Sequence, residues 1–313
     1  MSPSATIVFM GTPHFAVPSL RALHAAGFTV RLVVTQPDRP SGRGQKSAPP
    51  PVKQAALELG YAIDQTPKVR EDAFIGRLKD IAPDFLVVVA FGQTLSQRLL
   101  DVPRYGPINV HASLLPRYRG PAPIQWAILR GEKETGITTM RMDRGVDTGD
   151  ILLSARTPIH PHDTSATLHD RLAHLGAELL LETLDGLQRR EIIPRAQNHP
   201  LATHAPMLKK SDGRIDWRLP AETIDRLVRA MIPWPGAYCF WETQRLKIFR
   251  TSVIAEAHQV EPGTVLPGFA DELRVAAGQG QLSILEIQGA SGKRLSIKAF
   301  LRGHPIAPGT HLL

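Results

Sequence analysis

Residues 84–90 read DFLVVVA, and this run decides the fold. One aspartate precedes six apolar residues, three of them β-branched valines that favour extended backbone. Both alternating faces are apolar, as in a parallel strand covered by helices on its two sides. Upstream, residues 5–10 (ATIVFM) have the same character and break at Gly11-Thr12-Pro13. There Thr12 is expected to cap a helix and Pro13 to fit its first turn. Residues 28–35 form the next strand, and residues 108–111 and 136–142 two more, with a helical segment at 125–130 between them. Asp163 or Thr164 then opens a long helix, whose Leu168, Leu172, Leu175 and Leu179 line one apolar stripe. Strands separated by helices predict an α/β architecture, a doubly wound, largely parallel, Rossmann-like sheet.

Near residue 188 the periodicity stops and the chain becomes polar and punctuated by proline. The expected division is a catalytic domain over 1–188, a linker over 189–207 and a second domain over 208–313. The second domain carries one helix near 221–231 and short alternating runs at 246–249, 273–276 and 282–287, the pattern of a small β-barrel or sandwich.

The chain has 313 residues, 42% hydrophobic and 21% charged, which excludes a disordered chain. Its 27 prolines are about 9% of the total, against a usual ~5%, and imply many rigid connections. The single cysteine, Cys239, excludes an intramolecular disulfide and any cysteine-built metal site. No run approaches the ~18–20 apolar residues of a membrane span, and the N-terminus lacks the pattern of a signal peptide. A soluble, cytoplasmic, monomeric protein is expected, with no membrane partner. The net charge of +8 points to a polyanionic partner such as nucleic acid. It is not gathered in a tail. Residues 209–313 hold 14 basic and 10 acidic side chains, a net of +4, and the remaining residues hold the other +4.

Gly11-Thr12-Pro13 lies where backbone amides can meet a phosphate, but G-x-G-x-x-G requires two further glycines; a tight helix-starting turn remains the alternative. That mismatch argues against a nucleotide-dependent oxidoreductase. Residues 36–46 (QPDRPSGRGQK) form a loop with Arg39, Arg43 and Lys46 against Asp38 alone. It follows a strand's carboxyl end, where ligands of open α/β sheets bind. The alternative is a solvated basic loop, although its bordering prolines favour a positioned element.

INVHASLLP (108–116) carries the chemistry. Strand alternation puts Asn109 and His111 on one face. An amide N–H beside an imidazole can stabilise the charge on a carbonyl oxygen under nucleophilic attack. A structural histidine is the alternative, unless a titratable partner lies nearby. MDRGVDTGD (142–150) offers one in Asp147, which can orient the imidazole and relay a proton. Asp143, Asp147 and Asp150 also suit Mg²⁺ or Mn²⁺ in type, but their spacing matches no metal loop, and no metal is expected.

With GTPHFAVPSL, TQPDRPSGRGQK, APDFLVVVAFG, INVHASLLPRYRGPAPIQWAI, ETGITTMRMDRGVDTGDIL, IDW and PWPGAY, the chain resembles the methionyl-tRNA formyltransferase family. The resemblance covers the catalytic region and continues into the second domain. It implies transfer of the formyl group of 10-formyltetrahydrofolate to the amino group of methionyl initiator tRNA, for translation initiation. Asn109, His111 and Asp147 carry over as the catalytic trio. Phe91, Gly92, Gln93 and Leu95, with Ser113, Leu114, Leu115 and Pro116, carry over to the folate site. Arg39, Arg43 and Lys46 would contact the tRNA, and the C-terminal domain resembles an OB-like barrel. Phe91 stands where the family has AYG and Ala112 where it has HGSLLP; both spare the reacting groups. A formyltransferase for a small amine could share the trio without needing the basic loop. An RNA-binding or folate-binding module without catalysis would not need the complete trio.

Overall fold

The computed structural model describes residues 5–41, 46–268, 271–290 and 292–313, with backbone alone at 41 and 46. Contacts divide the chain into two compact units. The first holds the residues through Pro123, Glu134–Pro158 and His169–Ala205; the second holds Ile124–Lys133, Ile159–Leu168 and Pro206–Leu313.

In chain order the first unit's strands are β1 (Thr6–Gly11), β2 (Thr29–Val34), β3 (Arg39–Ser41), β4 (Lys46–Ala48), β5 (Ile63–Asp64), β6 (Phe85–Val89), β7 (Pro107–His111), β8 (Glu134–Arg141) and β9 (Ile151–Pro158). Seven form one sheet in the order β5-β2-β1-β6-β7-β8-β9. The pairs from β5 to β7 are parallel, and the two involving β8 are antiparallel. Helices α1 (Val17–Ala25), α2 (Pro51–Glu58) and α3 (Asp72–Ile81) supply the crossovers, and α4 (Gln97–Leu100) precedes β7. All five residues of β6 are buried, as its valine run requires. Leu86 and Val88 pack with Val8, Met10, Phe74 and Leu78. Each such side chain removed from water contributes about 1.5–3 kcal/mol. Asp84 aligns the two central strands, its carboxylate accepting from the Thr6 N–H at 2.9 Å.

The strand order reverses at β1 and β6, the point where open α/β sheets bind ligands. Gly11 is required there by space, since a Cβ would lie 2.8 Å from the Ala16 side chain. Thr12 does not cap the next turn. Pro13 occupies the N-cap position with no side-chain cap, and Pro18 takes the first turn of α1. The Thr12 hydroxyl instead donates to the Phe91 carbonyl at 3.1 Å and accepts from the Gln36 N–H at 3.3 Å. The Phe91 carbonyl lies beyond the last pairing of β6 and takes its donors from side chains, the Thr12 hydroxyl and the Gln36 amide, so Thr12 is spent on this tertiary contact rather than on a local cap. The basic stretch is not wholly a loop: β3 and β4 pair antiparallel. With no apolar alternation in either arm, the hairpin has no periodic signal to read.

Helix α5 (Pro123–Leu129) precedes β8, and α6 (Ser165–Gln188) is the long leucine-striped helix. A reciprocal pair caps α6: Thr164 Oγ1 accepts from the Thr167 N–H at 3.3 Å, and Thr167 Oγ1 from the Thr164 N–H at 3.0 Å. Leu168, Leu172 and Leu179 are buried.

The second unit contains α7 (Ala221–Ala230), β10 (Ala237–Trp241), β11 (Gln244–Ile254), β12 (Val265–Leu266), β13 (Leu273–Ala276), β14 (Gln281–Gln288), β15 (Leu295–Ser296) and α8 (Ile297–Gly303). The order is β10-β11-β14-β13-β12, antiparallel throughout, with β15 beside β14. Trp241 bridges Leu312 and Thr264 bridges His311, so the C-terminal residues stitch the two edges of this curled sheet. Helix α7 packs on β11, with Ile224 and Val228 fully buried. Among the described residues no helix is long and apolar enough to cross a membrane.

Candidate active site

Strand β7 lies between β6 and β8, with Asn109 paired to both Val88 and Met140 and His111 paired to Thr138. A central strand is the most rigid place available for two side chains that must hold their spacing. His111, at its end, is 7% exposed. Its Nε2 lies 3.0 Å from the carbonyl oxygen of Tyr118, and its Nδ1 lies 3.6 Å from Oδ2 of Asp147. A carbonyl can only accept, so Nε2 carries a proton and donates it. The ring is thereby fixed, with Nδ1 turned toward the carboxylate.

The segment after β7 is folded tightly enough to return Tyr118 to the histidine seven residues before it. Thr138 Oγ1 donates to the Ser113 carbonyl at 2.7 Å and accepts from the Leu115 N–H at 3.1 Å. Ser113 Oγ donates to the Arg117 carbonyl at 2.6 Å. Tyr118 takes a left-handed conformation (φ 60°), an uncommon state for a residue with a Cβ. Gly120 follows, with φ 117° and a Cβ position only 2.8 Å from the Ala205 carbonyl oxygen, so only glycine fits. Its N–H donates to Oδ2 of Asp147 at 2.8 Å, the same oxygen that faces His111.

Asp147 is also left-handed (φ 53°). Asp143, which the sequence offered as a metal-type carboxylate, closes the turn before it. It accepts from the Gly145 N–H at 3.0 Å and from the Thr148 hydroxyl at 2.6 Å. Among the described residues no group of three or more His, Cys, Asp or Glu side chains could hold a metal ion.

The structure thus brings His111 and Asp147 together, with Asn109 on the same strand. Of the residues assigned to the folate site, Phe91 and Leu95 lie in the hydrophobic cluster under the sheet. Ser113 and Leu115 are buried as well. Gly92 is exposed, and Gln93, Leu114 and Pro116 are half-buried. The Gln93 amide is spent on the protein, accepting from the Val69 N–H and donating to the Thr66 carbonyl. Gly92 and Gln93 also line an open cleft of about 770 Å³ with Gln36, Arg39, Lys68 and Arg70. This cleft opens at the carboxyl ends of β2, β5 and β6. Arg39 is exposed on β3, next to Asp38. The hydrogen bonds of Lys53 and Gln65 hold Asp38 below the usual carboxylate range. Arg43 and the side chain of Lys46 lie outside the described residues.

The formyl transferase family model matches residues 5–184, more than half the chain, and the formyl transferase C-terminal domain model matches residues 207–305. Methionyl-tRNA formyltransferase from Citrifermentans bemidjiense is 52% identical over 303 residues, 97% of this chain and 95% of that one. The chain belongs to the methionyl-tRNA formyltransferase family. A second member, from Pelobacter propionicus, is 52% identical over 99% of this chain and 96% of its own. Among solved structures, methionyl-tRNA formyltransferase from Clostridium thermocellum matches with a TM-score of 0.55 at 16% identity, over 79% of this chain and 93% of that one. HypX from Aquifex aeolicus in complex with tetrahydrofolic acid matches at 0.63 and 18%, over 96% of this chain and 47% of that one. At these identities the solved structures speak for the fold.

Sequence reasoning missed Arg119 and Gln197. Arg119 sits inside a motif read for its family resemblance, and Gln197 in the stretch read as linker. That stretch is structured: Arg195 bridges Ile151, His204 bridges Arg119, and Gln197 is 5% exposed. A lone polar residue in a polar, aperiodic segment has no signal in one dimension. Its role exists only through its partners.

Proposed function

We propose that the protein takes the formyl group of 10-formyltetrahydrofolate and places it on the α-amino group of methionine carried by initiator tRNA, in the cytoplasm. The observation that carries this reading is the identity of about half the residues, across both domains, to relatives named for that reaction.

The neutral amine attacks the formyl carbon, and negative charge develops on the formyl oxygen. Asn109 and His111 stabilise that oxygen. Because Nε2 of His111 is held by the Tyr118 carbonyl, Nδ1 is the nitrogen that meets the reacting atoms. In the doubly protonated imidazolium both nitrogens are donors, so Nδ1, 3.6 Å from Asp147, can donate to the oxyanion while Nε2 keeps its bond to Tyr118 and the carboxylate sets the ring's direction. Asp147 then helps move the amine proton, through water, toward the departing folate nitrogen. The cleft beside Gly92 and Gln93 gives the donor room at the catalytic edge, and Lys68 and Arg70 on its wall suit the carboxylates of the donor's glutamate. Arg39, Arg43 and Lys46 approach the acceptor stem, adding charge where phosphates must pass.

The test is formyl transfer from 10-formyltetrahydrofolate with methionyl initiator tRNA and small amines offered side by side. Transfer to the tRNA is expected. Transfer to a small amine alone overturns the reading.

A further inference from the structure

Asp147 is held from two directions by one short segment, Arg119-Gly120. Gly120 reaches it directly, donating its N–H to the carboxylate. Arg119 reaches it through Gln197. The Gln197 amide donates from Nε2 to two carbonyls of the Asp147 loop, those of Asp147 at 2.9 Å and Gly149 at 2.7 Å. Its Oε1 accepts from Arg119 Nε at 3.1 Å and Nη2 at 2.6 Å. This partner set fixes which end of the amide is nitrogen. A flipped amide would point its oxygen at two carbonyls and its NH₂ at a guanidinium, which has only donors. Arg119 is itself 6% exposed, and its Nη2 also donates to Nδ1 of His199 at 3.0 Å. Its backbone is clamped as well, donating to the Thr203 carbonyl and accepting from the Ala205 N–H.

We infer that Gln197, oriented by Arg119, is a positioning residue for Asp147: it pins the backbone of a left-handed aspartate so that Oδ2 faces Nδ1 of His111. The inference rests on the proposed function of His111 and Asp147. Without these two carbonyl contacts the loop is free to shift, and a misplacement of about 1 Å costs about 10²-fold in rate. Because Gln197 acts through Asp147, its effect must vanish once the carboxylate is gone, whereas a purely structural role would persist.

The experiment is a double-mutant cycle on the full-length protein, with Gln197→Leu, Asp147→Asn and the double variant assayed for kcat and for KM of donor and tRNA. Gln197→Leu is expected to lower kcat about 10²-fold with both KM values within twofold, and to cost less than twofold in the Asp147→Asn background. An equal loss in both backgrounds, or full kcat in a folded Gln197→Leu, overturns the inference. If leucine strips Arg119 of its amide acceptor and the chain fails to fold, Gln197→Glu keeps that acceptor while removing both donors, and the same cycle is run with it. Wild-type kcat in that variant is equally fatal to the inference. Full turnover in Asp147→Asn alone would instead bring down the underlying catalytic reading.

Discussion

Gly149→Ala adds one methyl group to the loop that carries Asp147 and, on the proposed function, should disable the enzyme. An alanine Cβ at this position would lie 1.8 Å from the carbonyl oxygen of Arg141, whereas real Cβ contacts essentially never fall below 3.0 Å. The obstacle is backbone, so no rotamer relieves it. The loop or the end of β8 must yield by about 1.2 Å. Both are tied into the site. Arg141 N–H donates to the Asp150 carbonyl at 2.9 Å, and the Gly149 carbonyl is one of the two that Gln197 holds. A 2.8 Å bond from Gly120 to Asp147 does not survive a shift of that size. A displacement near 1 Å costs about 10² in rate, or about 2.7 kcal/mol of transition-state stabilisation. Overpacking adds about 1–3 kcal/mol of lost stability. The assay is formyl transfer at saturating donor and tRNA, paired with thermal melting. Gly76→Ala is the control: Gly76 lies inside α3 with nothing within 4 Å of a Cβ, so alanine should gain about 0.5–1 kcal/mol and leave turnover unchanged. Wild-type kcat and an unshifted melt for Gly149→Ala would refute the rigidity assigned to this loop.

His111→Ala should melt close to wild type and lose about 10²–10³ in kcat, or ~3–4 kcal/mol, as expected for one lost oxyanion donor; near-normal turnover in the folded variant removes the histidine from the mechanism. Arg43→Ala should raise KM for the tRNA and leave KM for the folate donor unchanged, and equal losses for both would contradict an acceptor-stem role. Wild-type tRNA affinity should fall steeply with salt, each neutralised phosphate adding about 0.7–0.9 to the logarithmic slope; a flat dependence would sink the polyanion reading. Cys239 is buried, and burial pushes its thiol up to about 12. Native protein at pH 8 should therefore resist thiol reagents until it unfolds, and rapid native labelling would disprove the packing of β10. The sign also sets a pH dependence. The unfolded thiol ionises near 9.0 and the folded one only at about 12, so stability falls as pH climbs from 9.0 toward about 12, measurable by alkaline denaturation of wild type against Cys239→Ala.

The valine run of β6 was legible because a strand covered on both faces must be apolar on both, and that requirement is written into consecutive residues. The same holds for the leucine stripe of α6, and for Asn109 and His111, whose alternation on one strand needs no knowledge of neighbours. The hairpin of β3 and β4 left no trace, because two short polar arms pair through backbone alone.

Residue types and local spacing by themselves determined the sheet's central strands, the presence of an amide, an imidazole and a nearby carboxylate, and an even spread of positive charge. Only the tertiary structure decided which nitrogen of His111 is free, since that depends on a carbonyl returned by the Tyr118 turn. It alone placed Gly120 against Asp147 across 27 residues and Gln197 against the same loop across 50. Hydrogen bonds between segments so far apart obey no period. They are chosen by whichever donors and acceptors the packed sheet leaves unmet.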